Sequence, residues 1–123
     1  MSGGPESKRR GNLGEAVVIG YLRERGWNIL EANFHSKYGE IDLIAENGQY
    51  LAFVEVKLRK NEDFAAARES VTKSKQRKLR MTAEYYLQWH PTRLQPRFDV
   101  AEVYAPAGAG RISPEITYLE NAF

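Results

Sequence analysis

Two acidic residues and one lysine interrupt apolar segments of this chain at positions where they would support metal-dependent chemistry. Asp42 lies in the segment GEIDLIA, and Glu55 and Lys57 lie in FVEVKLR. Mg²⁺ binds oxygen ligands, usually one or two carboxylates, and keeps waters and phosphate oxygens as the others. Asp42, Glu55 and the carbonyl of Val56 would supply such a site, where the metal would activate water and polarise a phosphodiester. Lys57 would orient that water or offset charge on the phosphate.

A hairpin must bring these residues together, and the dipeptide Asn47-Gly48 predicts one. Asn-Gly between two alternating runs favours a two-residue type I′ turn. The resulting register pairs Glu46 with Gln49, Ile44 with Leu51, Asp42 with Phe53, and Glu40 with Glu55. Asp42 and Glu55 are then diagonal neighbours on adjacent strands.

Side chains alternate across a strand, so the hairpin has one almost wholly apolar face and one that carries the charged side chains. The apolar face consists of Ile41, Leu43, Ala45, Tyr50, Ala52, Val54 and Val56. The other face consists of Glu40, Asp42, Ile44, Leu51, Phe53, Glu55 and Lys57. Two like charges about 6 Å apart cost roughly 3 kcal/mol at an effective dielectric of 20, which a cation or a shared proton would relieve. The alternative is a solvent-facing surface on which Lys57 pairs with Glu55 or Glu40.

A first helix is predicted from Asn12 to about Arg25, after a flexible basic tail over residues 1–11. Asn12 is a favourable N-cap, Glu15 then lies at the third helical position as in a capping box, and Gly26 is at the position after the helix. Glu15 also heads a core-facing stripe of apolar residues. Its carboxylate is therefore either a cap or an acid that points toward the hairpin.

A second helix is predicted from about Thr72 to Gln88. Its outward stripe is Lys73, Arg77 and Arg80, and its buried side is Leu79, Ala83, Tyr86 and His90, with Val71 and Thr82 at the margin. The basic stripe either binds phosphates or is only solvated. Lys75 projects among the apolar positions, where it must extend to solvent or meet an acid. His90, next to Pro91, is more typical of a helix end than of a metal ligand.

Strands are predicted over residues 27–34, 97–105 and 112–123, where Pro114 indicates an edge strand or a bulge. With the hairpin and the two helices, this order predicts an α/β domain in which helices pack on a mixed sheet. The chain has 123 residues, of which 42% are hydrophobic, and this length fits one domain.

Composition narrows the setting of the protein. The chain has no cysteine, which excludes disulfides and thiolate metal sites and is typical of the reducing cytoplasm. It lacks an apolar run of about 18 residues that could cross a bilayer, and its basic start is not followed by the apolar segment of a secretory signal. The net charge of +2 does not by itself require a polyanionic partner.

In order along residues 11–123, six segments resemble those of the bacterial YraN family. They are Gly14-Glu15, GEIDLIA, FVEVKLR, the helix containing Lys75-Gln76-Arg77, RFDV and the terminal ENAF. That family is identified as restriction-endonuclease-like, within the PD-(D/E)XK nuclease superfamily, and as distantly similar to archaeal Holliday junction resolvases. The resemblance implies one domain over residues 12–123 with a mixed four-stranded core sheet flanked by helices.

The resemblance further implies an endonuclease that uses Mg²⁺ or Mn²⁺ and acts on DNA, including branched or structured DNA. It assigns metal binding to Asp42 and Glu55, the superfamily's lysine to Lys57, and the first-helix acid to Glu15. Lys75 or Gln76 would support the site from the second helix, and Glu40 would be supporting or structural. The candidate DNA-binding residues are Lys73, Lys75, Arg77 and Arg80.

Three alternatives stay open at this stage. A DNA-binding or adaptor protein could keep the nuclease fold without turnover, and a protein-interaction domain could carry the same charges only for solubility. Because resolvase-like nucleases often act as dimers, a homodimer is also open.

Overall fold

In the part of the chain that the computed structural model describes, residues 5–59, 71–104 and 114–123, a five-stranded mixed sheet has one helix on each face. The elements are α1 (Pro5–Glu24), β1 (Asn28–Ser36), β2 (Gly39–Glu46), β3 (Tyr50–Arg59), α2 (Lys73–Trp89), β4 (Gln95–Tyr104) and β5 (Glu115–Leu119). Residues 60–70, after β3, and residues 105–113, after β4, lie outside the described part of the chain.

The strands follow one another across the sheet in chain order, β1-β2-β3-β4-β5. Only β3 and β4 are parallel, and the helix between them provides the crossover that parallel strands require. The predicted α/β domain is confirmed, with β5 added to the four implied strands as the antiparallel edge that Pro114 indicated. The architecture is consistent with a restriction-endonuclease-like fold. Among the described residues no helix is long and apolar enough to cross a membrane.

Helix α1 begins at Pro5, well before the predicted start at Asn12, so the prediction that Asn12 is its N-cap is wrong. A proline at the first position of a helix is favourable because its missing N–H would be unpaired there anyway. The predicted end is confirmed. Gly26 has φ +87°, its N–H donates to the Arg23 carbonyl, and the Trp27 N–H donates to the Leu22 carbonyl, as in a Schellman motif.

The β2–β3 hairpin forms as predicted, but its register differs by two residues. Glu46 pairs with Leu51 and Ile44 pairs with Phe53. The pairing of Glu40 with Glu55 and of Asp42 with Phe53 was therefore wrong. Because side chains alternate with a period of two, a shift of two residues leaves the apolar residues of the paired region, 43–45 and 51–54, on their predicted faces.

The shift arises because Asn47 flanks the turn and does not form its centre. The Asn47 N–H donates to the Tyr50 carbonyl at 3.2 Å. The Asn47 Oδ1 accepts from the N–H groups of Gln49 and Tyr50 at 2.9 and 2.8 Å, as in an Asx turn. Gly48, with φ +91°, supplies the left-handed residue, so the two residues inside the turn are Gly48 and Gln49.

The ladder between β2 and β3 runs only from the pair Leu43–Val54 to the pair Glu46–Leu51, although both strands continue beyond it. On one side β2 stays paired with β1 as far as Gly39. On the other side β3 stays paired with β4 as far as Arg59. We call this divergence the fork, and its two branches are residues 33–42 of β1–β2 and residues 55–59 of β3 with their partners in β4.

Strand β2 changes face at the fork. Leu43 packs in the core under α1, with Val18 and Leu22, whereas Ile41 packs in the core under α2. The prediction that Ile41 shares a face with Leu43 is therefore wrong. In β1 the residue between the partners of Leu43 and Ile41 is Asn33, whose φ of +57° breaks the regular pleat at this level of the sheet.

Helix α2 confirms its predicted start and core. The Thr72 Oγ1 accepts from the Lys75 N–H at 3.2 Å as the N-cap. Its buried residues are Leu79, Thr82, Ala83 and Tyr86, and Val71 is buried beside them. His90 is exposed and is the C-cap, so its place on the buried side was wrong while its helix-end role is confirmed. Its ring stacks on Tyr86 at 4.2 Å.

A buried ionic network joins β4 to the C-terminal segment. Asp99 is 0% exposed, and both of its carboxylate oxygens accept from the Arg97 guanidinium, at 2.9 and 3.0 Å. The Tyr118 hydroxyl and the Asn121 N–H also donate to Asp99. The RFDV segment is therefore a structural anchor as well as a strand.

Candidate active site at the fork of the sheet

Asp42 lies where β2 and β3 part. Its Oδ2 accepts a hydrogen bond from the Val56 N–H at 2.7 Å, so a side chain provides the acceptor that a continuing ladder would provide from the backbone. Asp42 and Glu55 are the next residues of the two strands beyond the last pair, Leu43–Val54, and their carboxyl groups share a hydrogen bond. The two carboxyl groups are thus closer than the diagonal placement that the predicted turn implied.

The Glu55 side chain is only 16% exposed and lies against Asp42. Burial, a hydrogen bond with the Asp42 carboxyl and the negative charge of Asp42 together raise the pKa of Glu55 to about 8. The positive charges of Lys57 and Lys75 act in the opposite direction. Near neutral pH the pair therefore retains a proton in the absence of a cation.

Lys57 completes the group from the same strand. Its Nζ lies 3.6 Å from the Glu55 Oε2, and its side chain is 18% exposed. Burial and the neighbouring Lys75 lower the pKa of Lys57, although Glu55 and Asp42 raise it. Lys75 thus reaches the site from the first turn of α2 while it remains exposed. It satisfies both predicted alternatives, since it extends to solvent and acts on an acid.

Glu15 approaches the fork from α1. Because α1 begins at Pro5, Glu15 lies inside the helix, and the capping alternative is wrong. Its Oε1 accepts from the Asn33 Nδ2 at 2.9 Å. Burial, together with the charges of Asp42 and Glu40, raises the pKa of Glu15, while the bond from Asn33 lowers it. Glu15 therefore joins Asp42 and Glu55 in a group of acids at the fork, which we call the acidic cluster.

Asn33 was not singled out from the sequence. It lies opposite Asp42 in the β1–β2 register, with its backbone in the left-handed region and its amide on Glu15. An asparagine in the middle of a predicted strand was the available signal, because asparagine is enriched in left-handed conformations and depleted in strands.

Gly14 lies where α1 packs on β3. A Cβ at this position would lie 3.4 Å from the Val56 Cγ1 and close to Leu58. Helix α1 therefore packs directly on the β3 strand that carries Glu55 and Lys57. This packing positions Glu15 next to the fork.

The two supporting residues have contacts of their own. The Glu40 Oε1 lies 2.9 Å from the His35 Nδ1, and both side chains are 65% exposed. Gln76 donates from its Nε2 to the Val71 carbonyl at 3.0 Å, which fastens the start of α2. The negative charge of Glu40 contributes to the raised pKa of Glu15. The side-chain amide of Gln76, in contrast, is engaged in its hydrogen bond with the Val71 carbonyl.

The donor set suits Mg²⁺ better than a metal that needs a complete protein cage. Within the described residues no group of three or more His, Cys, Asp or Glu side chains is arranged to hold a metal ion. Asp42 and Glu55 provide two carboxylates, which is the usual number for Mg²⁺ that also binds waters and phosphate oxygens. A cation between them would relieve the repulsion that now raises the pKa of Glu55.

A basic groove lies on the outer face of α2. Its lining consists of Lys73, Gln76, Arg77, Arg80, Met81 and Glu84, and it is an open depression of about 460 Å³. The three cations of the predicted stripe are exposed, as expected. The Arg80 guanidinium also lies 4.9 Å from the centre of the Phe98 ring. We call this surface the basic groove.

The model of the family described as "Uncharacterised protein family UPF0102" matches residues 14–103, which include the acidic cluster, Lys57 and α2. A UPF0102 protein of Caldicellulosiruptor saccharolyticus is 40% identical over 114 residues, which cover 92% of this chain and 95% of that protein. One of Vibrio campbellii is 41% identical over 120 residues, covering 94% and 93%. One of Neisseria meningitidis is 46% identical over 80 residues, covering 65% and 70%.

Proposed function

This chain belongs to the UPF0102 family, which is the YraN family, and we propose that it is a Mg²⁺-dependent endonuclease that hydrolyses phosphodiester bonds in DNA. The observation that carries the proposal is the pairing of Asp42 and Glu55 at the fork. The two carboxyl groups lie so close that the pKa of Glu55 is raised, and such a pair stabilises the fold little. Two adjacent carboxylates are, however, suitable ligands for a divalent cation.

Each residue of the site would have a distinct role in phosphodiester hydrolysis. Asp42 and Glu55 would hold the cation, with the carbonyl of Val56 as a third donor. The chemistry that Mg²⁺ or Mn²⁺ supplies when bound is Lewis-acid activation of water and neutralisation of phosphate charge. Lys57, within 4 Å of Glu55, would orient the attacking water or stabilise negative charge on the phosphate. Glu15 would add negative charge from α1, which strengthens the attraction for a cation.

The basic groove supports a nucleic acid as the substrate. Lys73, Arg77 and Arg80 are exposed on one face of α2, and Lys75 extends from the start of the same helix to the site. A phosphate backbone along this helix would contact the cations and approach the fork. Binding that rests on such contacts falls steeply as the salt concentration rises.

A DNA-binding or adaptor protein without turnover is the second candidate, and one observation favours it. Without a metal the carboxyls of Asp42 and Glu55 already share a hydrogen bond, and Lys57 lies close to Glu55. The cluster can therefore be satisfied internally. Such a protein would bind DNA yet neither take up Mg²⁺ nor cleave.

The test is cleavage of a panel of duplex, single-stranded, flapped and four-way DNAs with Mg²⁺ or Mn²⁺, and with EDTA as the blank. The proposal predicts cleavage that EDTA abolishes and that Asp42→Asn and Lys57→Ala each lower by at least about a hundredfold. Glu24→Gln, which changes an exposed acid at the end of α1, is the matched control and should cleave normally. Cleavage that persists in Asp42→Asn and Lys57→Ala overturns the assignment of the site.

A further inference from the structure

A cluster of aromatic rings beside the β1–β2 branch has no part in the proposed hydrolysis. The Tyr85 ring of α2 lies at its centre, 6.3 Å from the Phe34 ring, 6.3 Å from the Tyr38 ring and 6.4 Å from the Trp89 ring. Trp89 is 69% exposed in spite of its contact with Tyr85. We call these four residues the aromatic patch. Exposed apolar groups that form a contiguous patch commonly mark an interaction site.

The aromatic patch is continuous with the basic groove. A shallow cavity of about 110 Å³ is lined by Tyr38, Met81, Glu84, Tyr85 and Gln88. Met81 and Glu84 also line the basic groove, so the two depressions share a wall on α2. Positive charge flanks the patch as well, because the Lys37 Nζ lies 5.2 Å from the centre of the Tyr38 ring.

The patch is also fixed relative to the fork. Tyr38 lies in the turn between β1 and β2, and the next residue, Gly39, packs closely on α2, where a Cβ would lie 3.5 Å from the Thr82 Oγ1. The Ser36 hydroxyl donates to the same Thr82 oxygen at 3.4 Å. The branch that carries Asp42 and the helix that carries the patch therefore form one packed unit.

We propose that the aromatic patch stacks an unpaired base of a DNA strand whose phosphates follow the basic groove. Sites for single-stranded nucleic acid combine a positive groove with aromatic rings on which bases stack. A base inside a continuous duplex is already stacked on both faces, so only an unpaired nucleotide presents a free face. The inference rests on the proposed nuclease function and narrows its substrate to DNA with an unpaired nucleotide beside a duplex, as in a flap or a gap.

Charge favours DNA over an apolar protein surface as the occupant. Lys37 stands at the turn on one side of the patch, and Arg77 and Arg80 lie in the adjoining groove. These three cations outnumber the one acid of the shared wall, Glu84, and they match a base with its phosphates. Contact with a second protein is the competing outcome, and it is separated from DNA binding in the test.

The test measures binding with EDTA present, so that metal-dependent cleavage cannot contribute. Fluorescence anisotropy compares a labelled flap DNA with a continuous duplex of the same length. Trp89→Ala should weaken binding of the flap about tenfold, equivalent to about 1.4 kcal/mol and to one lost stacking contact, without changing the affinity for the duplex. Trp89→Phe keeps a ring and should restore most of the affinity. Leu30→Ala removes another exposed apolar side chain, 43% exposed on β1, and should change neither affinity.

The possible results separate this inference from the proposed function. An equal loss for flap and duplex, no loss for either, or no DNA binding by the wild type overturns the inference. A Trp89→Ala variant that loses a dimer in sedimentation while its flap affinity is unchanged identifies a protein contact and also overturns it. The nuclease proposal is decided independently by the Asp42-dependent cleavage assay.

Discussion

The Asp42 Oδ2 accepts a hydrogen bond from the Val56 N–H at 2.7 Å, across the point where β2 and β3 part. The same carboxyl group is hydrogen-bonded to Glu55 and acts electrostatically on Glu15. Asp42 therefore combines a backbone contact of the fold with the proposed metal chemistry. Variants that remove one of these functions and keep the other test the site most directly.

We expect Asp42→Ala to lower the free energy of unfolding by about 1–3 kcal/mol, because it leaves the Val56 N–H without its acceptor. Asp42→Asn keeps an oxygen that can accept this bond, so its stability should be closer to that of the wild type. Both variants should lose Mn²⁺ uptake. Urea unfolding measures the stability and calorimetric titration measures the uptake. Uptake by Asp42→Asn that equals the wild type would contradict the metal site.

The raised pKa of Glu55 predicts a dependence of stability on pH in the absence of metal. Its pKa is raised from 4.5 to about 8, so the folded state holds this proton more tightly than the unfolded chain. The resulting stability is fully present below about pH 4.5 and is lost as the pH rises through 8. Glu55→Gln should therefore gain stability relative to the wild type over this range, by up to about 1.4 kcal/mol for each pH unit.

Urea unfolding with EDTA at several pH values between 4.5 and 8.5 checks the Glu55→Gln prediction. Glu24→Gln, at an exposed position, provides the control and should show no comparable trend. A difference between Glu55→Gln and the wild type that stays constant with pH would show that the Glu55 carboxyl does not retain its proton.

Removal of Lys75 should raise the pKa of Lys57, because Lys75 is one of the causes that lower it. Lys75→Met keeps the apolar length of the side chain and removes only its charge. An NMR titration that follows the Lys57 side-chain carbon next to Nζ measures the pKa without any need for activity. Lys73→Met changes a cation in the same turn of α2 that has no such effect on Lys57 and serves as the control. An unchanged midpoint in Lys75→Met would mean that Lys75 does not reach the site.

The basic groove predicts a salt-dependent affinity for DNA. Arg77→Gln should weaken binding of all DNAs to a similar extent and reduce the slope of log K against log salt by about one. Arg23→Gln, which changes an exposed cation in the last turn of α1, should leave the slope unchanged. Anisotropy titrations between low and moderate salt provide the slopes. Identical slopes for Arg77→Gln and the wild type would exclude a phosphate contact at Arg77.

The buried network around Asp99 should be essential for stability. Asp99→Asn leaves the Arg97 guanidinium, in a site where Arg97 is 8% exposed, without its buried charged partner and with only the exposed Glu120 carboxylate at 3.5 Å. We expect a loss of about 3–5 kcal/mol, measured by urea unfolding. Glu120→Gln removes the other carboxylate that pairs with Arg97, on a side chain that is 68% exposed, and its smaller loss calibrates the effect.

The hairpin and α2 could be predicted from the sequence because their signals are local. Alternation, a cap at Thr72 and the 3.6-residue period of the helix each depend on near neighbours. Asp42, Glu55 and Lys57 lie together as predicted although the turn differs, because the Asp42 carboxyl group reaches the Val56 N–H and Glu55 across the fork. A slip of one residue would have separated the two acids.

Other features of the hairpin and the site could not be predicted from local sequence patterns, because they depend on specific side-chain contacts or on contacts with other segments. Asn47 was expected inside the turn because the dipeptide Asn-Gly is typical of the centre of a two-residue turn. Its side chain instead accepts hydrogen bonds from two backbone N–H groups. Ile41 left its predicted face because the pleat breaks at Asn33, on the neighbouring strand. The action of Lys75 on Lys57 required the packing of α2 against the sheet.

The fork also makes the sheet less protected against local opening there than where its strands are paired. Around it, β1–β2 and β3–β4 remain paired, whereas β2 and β3 have no ladder pairs beyond Leu43–Val54. Amide hydrogens that face the gap should therefore exchange with solvent faster than those of residues 43–46, except where Asp42 covers the Val56 N–H. The two carboxyls can separate or approach without the rupture of any strand pair. This unpaired seam within the sheet coincides with the proposed site, and the site therefore has freedom to adjust around a cation and a phosphate.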